Sequence, residues 1–272
     1  MDVLTLQNNE IDIFYAYNLT LKKYSDNLVK CKRTSFSNIK GICLYNQHNG
    51  KCSQEELEEK GRAYLKKVKT NIIDLAYNNK DRFDYFITLT FSDKEIGEYS
   101  HEKAIELLTK WINNQKKQNS NMSYILVPEF HKSGRLHFHG LVGNVPKWKM
   151  SKAINPHTKK LIKVNNTQIY NLDNYKLGYT TISKIKSKEK VTNYISKYAT
   201  KELITLKSKK RYWYSRNLVK PMIQLSYIDT NLQEFFKDKN VVYSDVFTRE
   251  DSSIELLNFQ EVNIISKKEK DV

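Results

Sequence analysis

Apolar residues recur along the chain with two different periods. In residues 84–92, Ile87, Leu89 and Phe91 alternate with Phe86, Thr88 and Thr90. That pattern predicts a strand with the first set in a core and the threonines free to face a site or a ligand. An apolar run, Tyr124-Ile-Leu-Val-Pro, ends at Glu129, and a second alternating run covers residues 135–142. Between them Lys132-Ser-Gly-Arg is turn chemistry, with Gly134 able to take a positive φ, so the two runs predict a hairpin. Helical spacing takes over elsewhere. After Ser53, Leu57, Tyr64, Leu65, Val68, Ile72 and Leu75 predict a helix to about residue 77. After Ser100, Ala104, Ile105, Leu108, Trp111 and Ile112 predict one through residue 117. From residue 187 to about 206, Val191, Ile195, Ala199 and Leu203 recur every four residues and predict a third.

Other stretches are less ordered in pattern. Residues 177–185 predict a further strand, and Gly178 with the neighbouring lysines marks it as an edge candidate. Residues 146–166 are basic, contain two prolines and show no period, which predicts an inserted loop. Residues 1–52 hold a mixed aromatic and apolar stretch at 11–21 and little else that can be read. Residues 229–272 are acidic and poorly patterned, as in a partner-binding or mobile tail. The expected division is an N-terminal extension with a helix (1–80), a central domain (81–228) and an acidic tail (229–272).

With 272 residues, 39% hydrophobic and 12% aromatic, the chain can bury a sizeable core. No run of 18 apolar residues is present, and the first ten residues have neither the basic nor the apolar region of a secretory signal, so the expected location is cytoplasmic. The three cysteines are odd in number and make no disulfide framework. Cys31, Cys43, His48 and Cys52 have no compact zinc-finger spacing and read as ordinary residues.

Charge changes the picture. The net charge is +16, and residues 146–220 alone hold 19 Lys+Arg against 3 Asp+Glu. Residues 221–272 hold 6 against 10. Tyrosines and tryptophans, among them Trp148, Tyr170, Tyr194, Tyr198 and Trp213, are interleaved with the basic block. A surface that neutralises phosphates and stacks bases has this composition, so the expected partner is nucleic acid. A membrane partner would call for an amphipathic anchor with a clear apolar face, which is missing.

The candidate chemistry lies in the hairpin. His137 and His139 share one face of their strand, and Glu129 lies eight residues upstream of His137, close enough for the turn to bring it alongside. Two imidazole nitrogens and a carboxylate form a three-point site for a divalent ion, and the mixed N/O set suits Mn²⁺ or Mg²⁺ better than a closed zinc site. The competing reading is two satisfied polar residues. His131 is near enough to be an accessory group, although its place in the turn favours exposure. On the predicted third helix Tyr194, Lys197, Tyr198 and Lys201 form a stripe about 100° round from the apolar one. A phenol over a metal-bound phosphate can attack in line, with a lysine stabilising developing charge; the alternative is a pair of tyrosines that merely cap the core.

Taken in order, Phe86-Ile-Thr-Leu-Thr-Phe, His137-Phe-His139 with Glu129, and Tyr194-Ile-Ser-Lys197-Tyr198 resemble the three motifs of the HUH endonucleases. More specifically they are similar to the Rep proteins that initiate rolling-circle replication, over roughly residues 84–201. A tyrosine that follows the histidines matches Rep proteins, whereas in conjugative relaxases it precedes them. The resemblance implies an α+β fold, a central antiparallel sheet with flanking helices in a ferredoxin/RRM-like palm. It implies His137, His139 and Glu129 as ligands of a divalent metal, Mn²⁺ or Mg²⁺, Tyr194 as nucleophile and Lys197 as its helper. Tyr198 stands where two-tyrosine phage initiators carry a second nucleophile. The implied activity is nicking and joining of single-stranded origin DNA through a 5′-phosphotyrosine intermediate that leaves a free 3′-hydroxyl primer. No glycines fit a G-x-x-x-x-G-K-[ST] loop, so unwinding and synthesis would fall to a host helicase and polymerase. A transposase using the same residues and a non-catalytic nucleic-acid-binding protein are the alternatives; the second leaves the aligned histidines and Glu129 without a role.

Overall fold

Which faces the alternating positions bury decides the architecture. The structure is a computed structural model and describes residues 2–7, 10–42, 54–92, 101–131, 134–188, 190–196, 211–249 and 252–261. It divides into two compact units, residues 53–219 and residues 1–52 with 220–272. The chain begins with β1 (Asp2–Gln7), β2 (Glu10–Lys23) and β3 (Leu28–Ile42). The unit of residues 53–219 follows with α1 (Gln54–Asn78), β4 (Tyr85–Leu89), α2 (His101–Gln118), β5 (Ser123–Phe130) and β6 (Leu136–Gly143). It continues through the short strands β7 (Met150–Lys152), β8 (Lys163–Val164), β9 (Thr167–Gln168) and β10 (Tyr170–Leu172), then β11 (Thr180–Lys184), α3 (Val191–Ser196) and β12 (Trp213–Tyr214). The chain returns to the first unit with β13 (Met222–Ser226), α4 (Leu232–Phe235), β14 (Val241–Arg249) and β15 (Ser252–Gln260).

In residues 53–219 seven strands form one sheet in the order β12-β5-β6-β4-β11-β10-β7, antiparallel throughout. The fold is therefore α+β. Period-two alternation gives the sheet two apolar faces. On one, Ile87, Leu89, Leu126, Leu136, Phe138 and Ile182 pack against Ala104, Leu108, Trp111 and Ile112 of α2. On the other, Ile125, Val127 and Leu141 meet Val68, Ile72 and Leu75 of α1 and Val191 and Ile195 of α3. Burial of each such side chain stabilises the fold by about 2 kcal/mol relative to exposure. Buried Asn79 ends α1 by donating to the Leu75 carbonyl (2.8 Å) and the Val219 carbonyl (2.7 Å) while accepting from the Val219 amide (3.0 Å).

The other unit is a sheet in the order β1-β2-β3-β15-β14, with β13 also paired to β2. Leu19, Val29, Cys31, Ile228, Leu232, Phe236, Leu257 and Phe259 form its core.

Several expectations change. The boundaries fall at 52/53 and 219/220 instead of 80/81 and 228/229, because α1 is needed to cover the second face of the seven-stranded sheet. Residues 229–272 are not simply a tail: α4, β14 and β15 lie within them, and β15 pairs with β3 along Leu28–Thr34. Ion pairs join this acidic segment to the basic strands, Arg33 to Glu255 and Lys23 to Glu261. Opposite charges brought together by the fold account for a composition that looked unstructured. The expected edge strand, β11, is internal, hydrogen-bonded to β4 and β10. The expected loop 146–166 contains β7 and β8 and an isolated bridge between Ile154 and Leu161, closed by positive φ at Lys159, Asn165 and Asn166. Of the third predicted helix the described part is α3, with Val191 and Ile195 fully buried as the stripe requires; the remainder, with Lys197 and Tyr198, lies outside the described residues.

Candidate active site

The site grows from the β5–β6 hairpin. Gly134 takes φ 83°, the left-handed region a side chain would strain, and so lets the chain reverse. The ladder then sets Glu129 opposite His137 and Val127 opposite His139. Since Ile125, Val127 and Leu141 occupy the core under α1, the alternation puts Glu129, His137 and His139 on that same face, beyond the helix-covered part. On the next strand Thr88 is the register partner of His139. The imidazoles of His137 and His139 are 6.4 Å apart, centroid to centroid.

His139 is held at both nitrogens. Its Nδ1 is 3.0 Å from Thr88 Oγ1 and its Nε2 is 2.6 Å from Glu129 Oε2. A hydroxyl both donates and accepts, so Thr88 can serve either tautomer: it donates to Nδ1 when Nε2 carries the proton, and accepts from Nδ1–H when the Nε2 lone pair is used. The expectation that the threonines face the site holds in this contact. The ring of Phe86 stacks on His139 at 6.1 Å and 15°, fixing the imidazole plane. His137 is half-buried. Burial first, then the charges of His131 and Arg135, hold it below the usual 6.5, so it is a neutral imidazole at neutral pH. His131 is exposed, as its turn position suggests, and stacks parallel on His137 at 5.3 Å and 9°.

Tyr194 enters from α3. Its ring lies 6.0 Å from Phe86, so Phe86 has His139 on one side and Tyr194 on another. Both Thr88 and Tyr194 line a cavity of about 280 Å³, walled by Thr181, Ser183 and Lys184 of β11 and by Val164 and Asn165 at the tip of the β8–β9 hairpin. Sequence reasoning does not join this hairpin or β11 to the site. The hydroxyl-rich alternation Thr181, Ser183 on the face of Phe86 and Thr88 is the signal that points there.

The donor set fits a hard divalent ion: one neutral imidazole, a second whose outward nitrogen faces a carboxylate, and that carboxylate. Among the described residues no three His, Cys, Asp or Glu side chains already converge as a ligating group. Glu129 instead closes on His139. Neighbouring ligands of an octahedral ion with bonds of about 2.1 Å stand about 3 Å apart, so the Glu129–His139 contact need open by only a few tenths of an ångström to admit one.

Residues 84–203 match the family model of replication-associated proteins of the ORF2 type. The matched segment spans β4, the β5–β6 hairpin, the cavity and α3, and it supports a protein of replication initiation. Comparison with curated proteins and with solved structures gives no match.

Proposed function

We propose that this protein is a rolling-circle replication initiator that nicks and joins single-stranded DNA at an origin. The reading rests above all on one observation: Glu129, His137 and His139 share a sheet face with Phe86, and Tyr194 stands on the far side of Phe86 over a hydroxyl-lined cavity. The match of residues 84–203 to a replication-associated family agrees with it.

In this reading His137, His139 and Glu129 hold Mn²⁺ or Mg²⁺, which when bound polarises the scissile phosphate and offsets its charge. Thr88 and Phe86 fix the His139 ring so that Nε2 points outward. Tyr194 supplies the nucleophile. Its phenolic oxygen forms a bond to phosphorus as the bond from phosphorus to the 3′ oxygen breaks. The phenolic proton is given up to solvent and the departing 3′ oxygen gains one, leaving a free 3′-hydroxyl and the 5′-phosphate on the enzyme. Lys197 assists by charge and Tyr198 is the candidate second nucleophile; both lie outside the described residues. The basic block supplies affinity for the strand.

The test is incubation with labelled single-stranded origin DNA and Mn²⁺, followed by denaturing electrophoresis. The wild type should give a protein–DNA band, Tyr194→Phe none, and His137→Ala or His139→Ala none despite retained binding. Cleavage without an adduct would point to water as nucleophile. An adduct in Tyr194→Phe that disappears in Tyr198→Phe would transfer the role to the second tyrosine.

A further inference from the structure

A second cavity, of about 490 Å³, lies on the α2 side of the sheet, the face opposite to Tyr194 and the histidines. Its size is within the range of about 300–1,000 Å³ typical of small-molecule sites. Trp213 and Tyr124 supply aromatic surface, Asn113 and Thr109 supply hydrogen-bonding groups, and Lys116 and Arg216 supply two cations.

The walls are built rather than incidental. Trp213 is paired with Leu126 in the ladder and meets Phe138 edge-to-face at 5.2 Å and 84°, so the indole is held in place. Ser215 binds both sides of the Tyr124 backbone, its amide donating to the carbonyl (3.0 Å) and its Oγ accepting from the amide (3.1 Å). A turn from Ser215 to Leu218 presents Arg216. Asn217 anchors that turn by donating to the Asn121 carbonyl (3.0 Å) and Ser123 Oγ (3.2 Å). Arg216 is exposed, and its charge is felt by the Tyr124 phenol. Among the described residues neither Lys116 nor Arg216 forms an ion pair with a carboxylate.

We propose that this groove between α2 and β12 binds a nucleotide unit, its base against Trp213 and Tyr124 and its phosphate between Lys116 and Arg216. Flat apolar surface beside paired cations and an amide matches a base, its edge and its phosphate. The same chemistry is offered by a free nucleotide and by one residue of a single strand. The groove binds whether or not Tyr194 is a nucleophile.

The experiment uses the full chain. Affinity for a labelled oligothymidylate is measured by anisotropy against salt, and thymidine 5′-monophosphate is titrated by tryptophan quenching. The variants are Lys116→Glu, Arg216→Glu and, as a control on α2 outside the groove, Lys117→Glu, each checked for native circular dichroism. Groove variants should lose about tenfold in affinity and flatten the salt slope by about 1 or more, with Lys117→Glu much less affected. Quenching by the mononucleotide that is lost in the groove variants identifies a free nucleotide as ligand; loss with the oligonucleotide alone identifies a strand. Equal weakening by Lys117→Glu, no weakening at all, or equal competition by polyglutamate would overturn the proposal. Adduct formation is read on the same samples. A wild type that forms adduct while the groove variants bind normally would remove this inference and leave the nicking function, and the reverse pattern would do the opposite.

Discussion

Glu129 Oε2 lies 2.6 Å from Nε2 of His139, although the strand register pairs Glu129 with His137. The carboxylate thus reaches diagonally across the hairpin and ties together the two ends of the three-residue donor set. What keeps this imidazole in position is Thr88 on the adjoining strand, and the first prediction follows from that contact.

Thr88→Val preserves shape and removes the hydroxyl at Nδ1 of His139. Outer-sphere partners of this type are worth about 10- to 100-fold in metal affinity, so the Mn²⁺ concentration for half-maximal nicking should rise by at least about tenfold. Thr88→Ser should restore it. An unchanged Mn²⁺ requirement in Thr88→Val would show that His139 is oriented by other contacts.

Gly134→Ala should cost about 1 kcal/mol, since alanine is strained at φ 83°. Gly140→Ala should cost more, on the order of 3 kcal/mol, because a Cβ there would stand 2.1 Å from the Ile125 carbonyl oxygen and force the central strands apart. Denaturant unfolding of both variants checks the order, and a smaller loss for Gly140→Ala would contradict the close approach of β5 and β6.

Burial pushes the Cys31 thiol up from 9.0 to about 12. The folded state therefore holds this proton more tightly than the unfolded state. The stability it contributes is fully present below pH 9 and is lost progressively as pH rises toward 12. In a Cys43→Ser, Cys52→Ser chain, Cys31 should resist a thiol reagent near pH 8 until denaturant is added. Rapid native labelling would mean that this core opens.

Binding to single-stranded DNA should weaken steeply with salt, because residues 146–220 carry 19 cations against 3 anions and must release counterions on contact with phosphates. Affinity measured over a series of ionic strengths gives the slope. A flat log–log plot would exclude this block as the strand-binding surface.

Much of the site was legible because it depends on local rules. Alternation over 135–142 places both imidazoles on one face wherever the strand lies, and Gly134 with a short turn brings Glu129 alongside whatever the rest of the chain does. The strand of Ile87 and Leu89 and the helix of Leu108 and Trp111 announce themselves by period, since each buries one face and solvates the other. The replication reading likewise came from residues close together in sequence.

The remainder was decided by contacts between distant residues. Ile11, Ile13, Leu19 and Leu21 do alternate, yet their strand has meaning only beside β3, and a register shift between Tyr17 and Leu19 breaks the pattern midway. The acidic C-terminal segment carries too little local signal to be told from a tail. Pairing of β15 with β3, with Glu255 and Glu261 set against Arg33 and Lys23, is what makes it a strand. The same holds for Phe86 between His139 and Tyr194. Strand alternation says which face a ring occupies, but only packing of α3 on that face brings a phenol 108 residues later in the chain to its side.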